Sequence, residues 1–147
     1  MSVADDLYDS IRGYLRVVGR LLPREGQTEV NVGERFKIRF TGSNTCPQEW
    51  VPWWKQPDVI FDNPRILVEG TVFAEPVAGN AWHRLPDTRL RPGEASYVDV
   101  EFEAKLDFGY PLYKEHVAKV FILGELDQDR FFRVWNYTET FVPIEPT

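Results

Sequence analysis

Arg35-Phe-Lys-Ile-Arg-Phe40 alternates basic and apolar residues one by one, and Tyr97-Val-Asp-Val-Glu-Phe-Glu103 alternates apolar and acidic residues in the same way. Side chains of a strand point alternately to its two faces, so each segment reads as a strand with one face in a core and one in water. Leu90-Arg-Pro-Gly-Glu94 precedes the acidic strand. With Pro at the second position and Gly at the third, it predicts a type II turn.

The rest of the chain follows the same grammar. Residues 1–13 read as a short helix, with Val3, Leu7 and Ile11 on one face and Gly13 as its stop. A helix this short needs a surface to dock on. Strands are expected at Tyr14–Leu22, Val30–Gly42, Arg65–Val77, Leu85–Arg91, Ala95–Leu106, Val117–Leu126 and Arg130–Val142, with Asp127–Asp129 closing the last hairpin. Ser43–Pro64 is the least regular stretch, with four prolines and three tryptophans, and is long for a connection in a compact domain. About seven strands with regular turn signals predict an all-β antiparallel sandwich over residues 14–147, with the helix packed on it.

Composition narrows the partners more than the fold. Aromatic residues make up 14% of 147 residues, which favours strands over helices. A formal charge of −6 argues against nucleic acid and anionic membranes. The single cysteine, Cys46, excludes an internal disulfide framework. The N-terminus carries acids where a secretory signal would carry basic residues, so a cytoplasmic location is expected, with signal-free export left open.

Val32-Gly-Glu-Arg-Phe-Lys-Ile-Arg-Phe-Thr-Gly-Ser-Asn-Thr45, together with Leu90-Arg-Pro-Gly-Glu94 and the hairpin through Asp127, resembles bacterial immunoglobulin-like adhesion-type domains of the CARDB kind. The resemblance spans roughly Tyr14 to Ile144 in strand order. The chain departs from that pattern in its N-terminal helix, its Trp-rich insertion and Cys46, which stands where a glycine often follows the Asn-Thr pair. An immunoglobulin-like fold implies that the second and fifth strands are antiparallel neighbours. Arg35, Lys37 and Arg39 would then face Asp99, Glu101 and Glu103 across a solvent-exposed ladder. Such a ladder fixes register, because a slip of one residue drives charge into the core.

The other sheet is apolar on both faces. Ile66, Val68 and Val72 alternate with Leu67, Glu69, Thr71 and Phe73; Val120 and Ile122 alternate with Phe121 and Leu123; and Phe131, Phe132, Val134, Trp135 and Tyr137 follow. Antiparallel sheets with one wet face do not look like this, so something must cover the outer face. The candidates are the N-terminal helix, the insertion with Trp50, Trp53 and Trp54, and a second protein, a further copy of the chain included.

Chemistry is harder to find. Cys46, His83 and His116 are the only candidates for a nucleophile and base, and no spacing brings them together. Two distant histidines give no zinc spacing, and Asp5, Asp6, Asp9, Asp127 and Asp129 read as helix and turn residues rather than calcium ligands. No cofactor motif is present. Asn136-Tyr-Thr138 matches a glycosylation acceptor but falls inside an expected strand. The leading expectation is a non-enzymatic interaction domain that binds a protein partner or itself. It would use Trp50, Trp53, Trp54, Phe73, Trp82, Phe121, Leu123, Trp135 and Tyr137. A carbohydrate-binding module built on the Trp-rich loop is the second reading. An enzyme with an unrecognised site, built from Asp127, Asp129 or Glu69, is the third.

Overall fold

A computed structural model describes residues 13–46, 60–109, 116–126 and 133–141. Its elements are β1 (Leu15–Leu22), β2 (Glu29–Val30), β3 (Arg35–Asn44), β4 (Phe61–Gly70), β5 (Ala74–Pro76), β6 (Ala81–Arg84), β7 (Arg89–Leu90), β8 (Ala95–Ala104), β9 (Phe108–Gly109), β10 (His116–Leu126) and β11 (Arg133–Phe141). One sheet has the order β1-β3-β8-β5, a second β11-β10-β4-β6 with β7 also on β4, and β2 and β9 form a small ribbon. All pairings are antiparallel. The expected helix over residues 1–13 and the hairpin tip at Asp127 lie outside the described residues.

The core fills the space between the two sheets. Leu15, Val17 and Leu21 of β1, Phe36, Ile38 and Phe40 of β3, and Val100 and Phe102 of β8 meet Ile66, Val68, Val120 and Ile122 from the other sheet, all buried. Phe102 stacks on Phe36 with ring centroids 5.8 Å apart, and Phe108 of the ribbon meets Phe36 edge-on at 5.6 Å. These contacts follow from strict alternation: each strand turns its apolar set inward and its charges out.

The charge ladder has the register its alternation implies, with Arg35, Lys37 and Arg39 opposite Glu103, Glu101 and Asp99. Only Arg39 and Asp99 make a two-point pair, at 2.9 and 3.1 Å, while Arg35 reaches diagonally to Glu101 at 3.5 Å. Arg39 also lies 4.0 Å from the centre of the Tyr97 ring.

Several expected boundaries move, each for a local reason. Val30–Gly42 is interrupted because Asn31-Val-Gly-Glu34 is a turn: Gly33 has φ 85° and Glu34 donates its N–H to Asn31 at 3.0 Å. Arg65–Val77 breaks at a bend over Val72 and Phe73, closed by Thr71 N–H on Ala74 carbonyl at 2.8 Å. Val72 therefore does not continue the inward set of Ile66 and Val68, and is 72% exposed. Of the expected strand Leu85–Arg91 only Arg89–Leu90 forms, as β7; residues 85–88 are an irregular link from β6, which lies earlier, at Ala81–Arg84. β3 runs on to Asn44, and β4 begins at Phe61, before Pro64. Asn63 has φ 50° beside Pro64, where β4 changes neighbour from β7 to β6 and its pairing with β10 slips. That is a bulge, the one interior position a strand proline tolerates.

The predicted turn at Arg91–Glu94 forms, with Gly93 at φ 86° and Glu94 N–H on Arg91 carbonyl at 2.9 Å. It docks on Asn44. Gly93 donates to the Asn44 carbonyl at 2.9 Å, Asn44 donates its N–H to Glu94 at 3.0 Å, and the Asn44 side chain donates to Leu90 at 3.0 Å. Thr45 binds the Tyr14 carbonyl through N–H and hydroxyl, at 2.8 and 2.9 Å. The two short motifs at Asn44 and Pro92-Gly93 are thus the two halves of one joint.

Candidate functional site

The outer face of the β11-β10-β4-β6 sheet carries one continuous row. Register places Tyr137 opposite Phe121, Phe121 opposite Leu67, and Leu67 opposite Trp82, so the row crosses all four strands. Ile66, Val68, Val120 and Ile122 hold the opposite face at 0% exposure, and this fixes Leu67 and Phe121 outward. Both are half-buried, and Trp82 is 44% exposed. Trp135 pairs with Leu123 in the next row, where Leu123 is covered to 7% exposure although it stands on the outward side. Tyr137 and Trp135 are placed by register alone.

Charges border the apolar row on both sides. On one side Glu139, Lys119 and Glu69 alternate in sign across β11, β10 and β4. On the other, Arg65 stands directly opposite Arg84. Like charges across a ladder are unfavourable. Arg65 is balanced by Glu125 at 3.9 Å, whereas Arg84, exposed on the edge strand, has no ion pair among the described residues. Trp, Tyr and Arg around an apolar strip are the side chains that dominate protein-binding surfaces.

Other expected site residues fall elsewhere. Phe73 is not on this face: it sits in the bend after β4, half-buried, with its carbonyl accepting from Lys105 and Leu106 at 2.7 and 3.2 Å. Trp50, Trp53 and Trp54 lie outside the described residues. Leu67, Arg84 and Lys119 belong to the face, although sequence reading did not place them in the site. Alternation alone gives each strand's outward set, but the cross-strand neighbours that make a row need the register.

The residues screened for catalysis are not brought together. Cys46 is buried and donates its N–H to the Asn44 side chain at 3.0 Å, closing a turn. His116 opens β10 at the opposite end of the sandwich. His83 faces inward opposite Ile66, and its Nε2 is buried without a hydrogen-bond partner. Burial lowers its pKa below the ordinary 6.5. No group of three or more His, Cys, Asp or Glu among the described residues could hold a metal ion. A surface groove lined by Arg24, Gln27, Asn31 and Glu34 is closed on itself by the Arg24–Glu34 ion pair at 3.1 Å. Among the described residues no helix is long and apolar enough to cross a membrane.

No family model matches the chain, and no curated protein matches it. Among solved structures it is similar to AvmM, which catalyses macrocyclization in alchivemycin A biosynthesis, at 9% identity over 91% of each chain with a TM-score of 0.42. It is also similar to Spo0M, a sporulation control protein from Bacillus subtilis, at 12% identity with a TM-score of 0.33. That likeness covers 90% of this chain, which spans about half (51%) of the Spo0M structure. With TM-scores below 0.5, neither bears on what this chain does.

Proposed function

We propose that this chain is a non-enzymatic, immunoglobulin-like interaction domain that binds a protein through the outer face of its second sheet. The observation that carries the proposal is the apolar row across β11, β10, β4 and β6, ending in a 44%-exposed Trp82 beside Arg84, which has no ion pair among the described residues. The part of such a row that stands in water, Trp82 above all, gains free energy when a partner covers it. The strand order β1-β3-β8-β5 against β11-β10-β4-β6 supports the immunoglobulin-like part, being the order A-B-E-D against G-F-C-C′. The joint between Asn44 and the Pro92-Gly93 turn supports the likeness to the CARDB kind, because it gives both shared motifs one structural purpose.

The test compares the wild-type chain with Trp82→Glu in sedimentation at several concentrations and as bait for partners in its native extract. Self-association, or a captured protein, should be lost in the variant. A wild-type chain that stays monomeric and captures nothing beyond what Trp82→Glu captures sinks the proposal. Titration of glycans against Trp fluorescence separates the carbohydrate reading, which requires a saturable shift that the protein reading does not.

A further inference from the structure

His83 is the one buried polar group among the described residues whose side-chain nitrogen finds no partner. It sits in β6, a strand of four residues that pairs only with β4 among the described residues. In the neutral ring the buried Nε2 lacks a hydrogen bond; in the protonated ring a charge stands in the same place. A buried unsatisfied group is costly, and a buried unpaired charge is costlier.

Among the described residues no carboxylate is placed to offset that charge. Of the charged groups on β4, Arg65 and Glu69 stand on the outward face, and Asp62 is held by Arg89 at 2.9 Å. On its own strand, Arg84 is also outward. Across the core, Asp99, Glu101 and Glu103 of β8 lie on the water side of the other sheet, and Glu75 of β5 holds Lys105 at 2.8 Å. Asp87, exposed in the following link, is the nearest carboxylate in sequence, and its N–H is bound to the Ser96 hydroxyl at 3.2 Å. The residue is half-buried: its Nε2 is the buried end, and register sets it opposite Ile66, at 0% exposure.

We infer that His83 makes β6 an acid-labile edge: protonation of the inward ring frees the strand from β4 and removes Trp82 from the outer row. Trp82 and His83 are neighbours on opposite faces of one short strand, so whatever displaces one displaces the other. The strand's hold is complete above the ordinary histidine pKa of 6.5 and is lost as the pH falls through the lower value that burial imposes. Its effect on partner binding rests on the function proposed above. The release of β6 does not.

Two measurements on the full chain test this. NMR titration of the histidine rings, assigned with His116→Gln, should show His83 titrating below 6.5. Hydrogen exchange on the two sides of the measured His83 titration, corrected for intrinsic rates, should show residues 79–88 losing protection several-fold on the acid side, with β3 and β8 unchanged. His83→Leu should abolish that loss. A His83 ring that titrates at or above 6.5 overturns the inference. So does protection that holds while the ring titrates, or an equal loss in His83→Leu. If the leucine variant does not fold, the first two outcomes on the wild-type chain still decide. Failure of partner binding with β6 still acid-labile would refute the proposed function and leave this inference standing.

Discussion

The side-chain amide of Asn44, at 1% exposure, donates to the carbonyl of Leu90 at 3.0 Å, across a separation of 46 residues. With its backbone bonds to Gly93 and Glu94, it ties the end of β3 to the turn that starts β8. The same side chain accepts from Cys46 at 3.0 Å. A buried polar group satisfied on both ends is stabilising only while all its partners are in place.

Asn44→Ala should therefore destabilise the fold by about 2–3 kcal/mol, because it leaves the Leu90 carbonyl and the Cys46 N–H buried without their partner. Urea denaturation measures it. A loss below about 0.5 kcal/mol, the range of an ordinary surface change, would mean that water replaces the amide there.

Gly70 and Gly42 should respond differently to alanine. A Cβ at Gly70 would stand 2.8 Å from the Ala74 carbonyl oxygen and the Glu75 Cα, whereas at Gly42 it would meet the ends of Leu85 and Ile122 at 2.7 and 2.8 Å. Side-chain tips can turn away and backbone cannot. Gly70→Ala should cost at least the roughly 1–3 kcal/mol typical of overpacking, and Gly42→Ala should cost less. Thermal melts that rank the pair in the opposite order would refute this.

The Arg39–Asp99 pair should give a small, salt-sensitive stability increment. Hydrogen bonding from Arg39 pulls the Asp99 carboxyl below its ordinary 3.8. A depressed acid contributes stability that is present above that ordinary value and lost as pH falls through the folded one. Asp99→Asn should lower the urea midpoint slightly at pH 7, less in high salt, and progressively less as the pH falls below 3.8. An effect that does not shrink with falling pH would place the cause in packing.

Trp82→Ala should leave folding stability within about 0.5 kcal/mol, since the side chain is 44% exposed. Partner binding should weaken by about 2 kcal/mol or more, roughly thirtyfold. Tyr97→Ala, at 49% exposure on the other sheet, is the control and should leave binding unchanged. Equal losses from both would detach the interaction from the second sheet.

The parts of the fold that could be read from sequence were those written as strict alternation. Arg35–Phe40 and Tyr97–Glu103 gave their faces and, through charge, their mutual register. The Pro92-Gly93 turn was legible because proline fixes one torsion and glycine permits the next. Val32-Gly33 carried a weaker form of that signal, and the β-favouring valine beside it masked the break. Pro64 closes the irregular stretch in the sequence pattern yet lies inside β4, because a bulge depends on which neighbour β4 is pairing with, and no local residue encodes that. The outer face was visible as apolar excess, but Phe73 was assigned to it by extending a period of two through a bend. Arg84 escaped notice because its significance is the like-charged residue across from it, a long-range fact.

The pairing of β3 with β8 also governs how the chain can assemble. Arg39 and Asp99 are 60 residues apart, and the intervening chain includes β4, the central strand of the other sheet. Non-local pairings of this kind place a sandwich among the slow folders, in milliseconds to seconds, since loop-closure entropy must be met before the contact forms. If β1 and β3, which are nearer in sequence, pair first, the other edge of β3 stands open to any strand, including one from another molecule. Three cations spaced along that edge repel a second β3 and attract the acidic β8, so the ladder selects the right partner when selection is hardest. Reversing the charge of Lys37 should therefore show first as aggregation during refolding, before it shows in the stability of the finished protein.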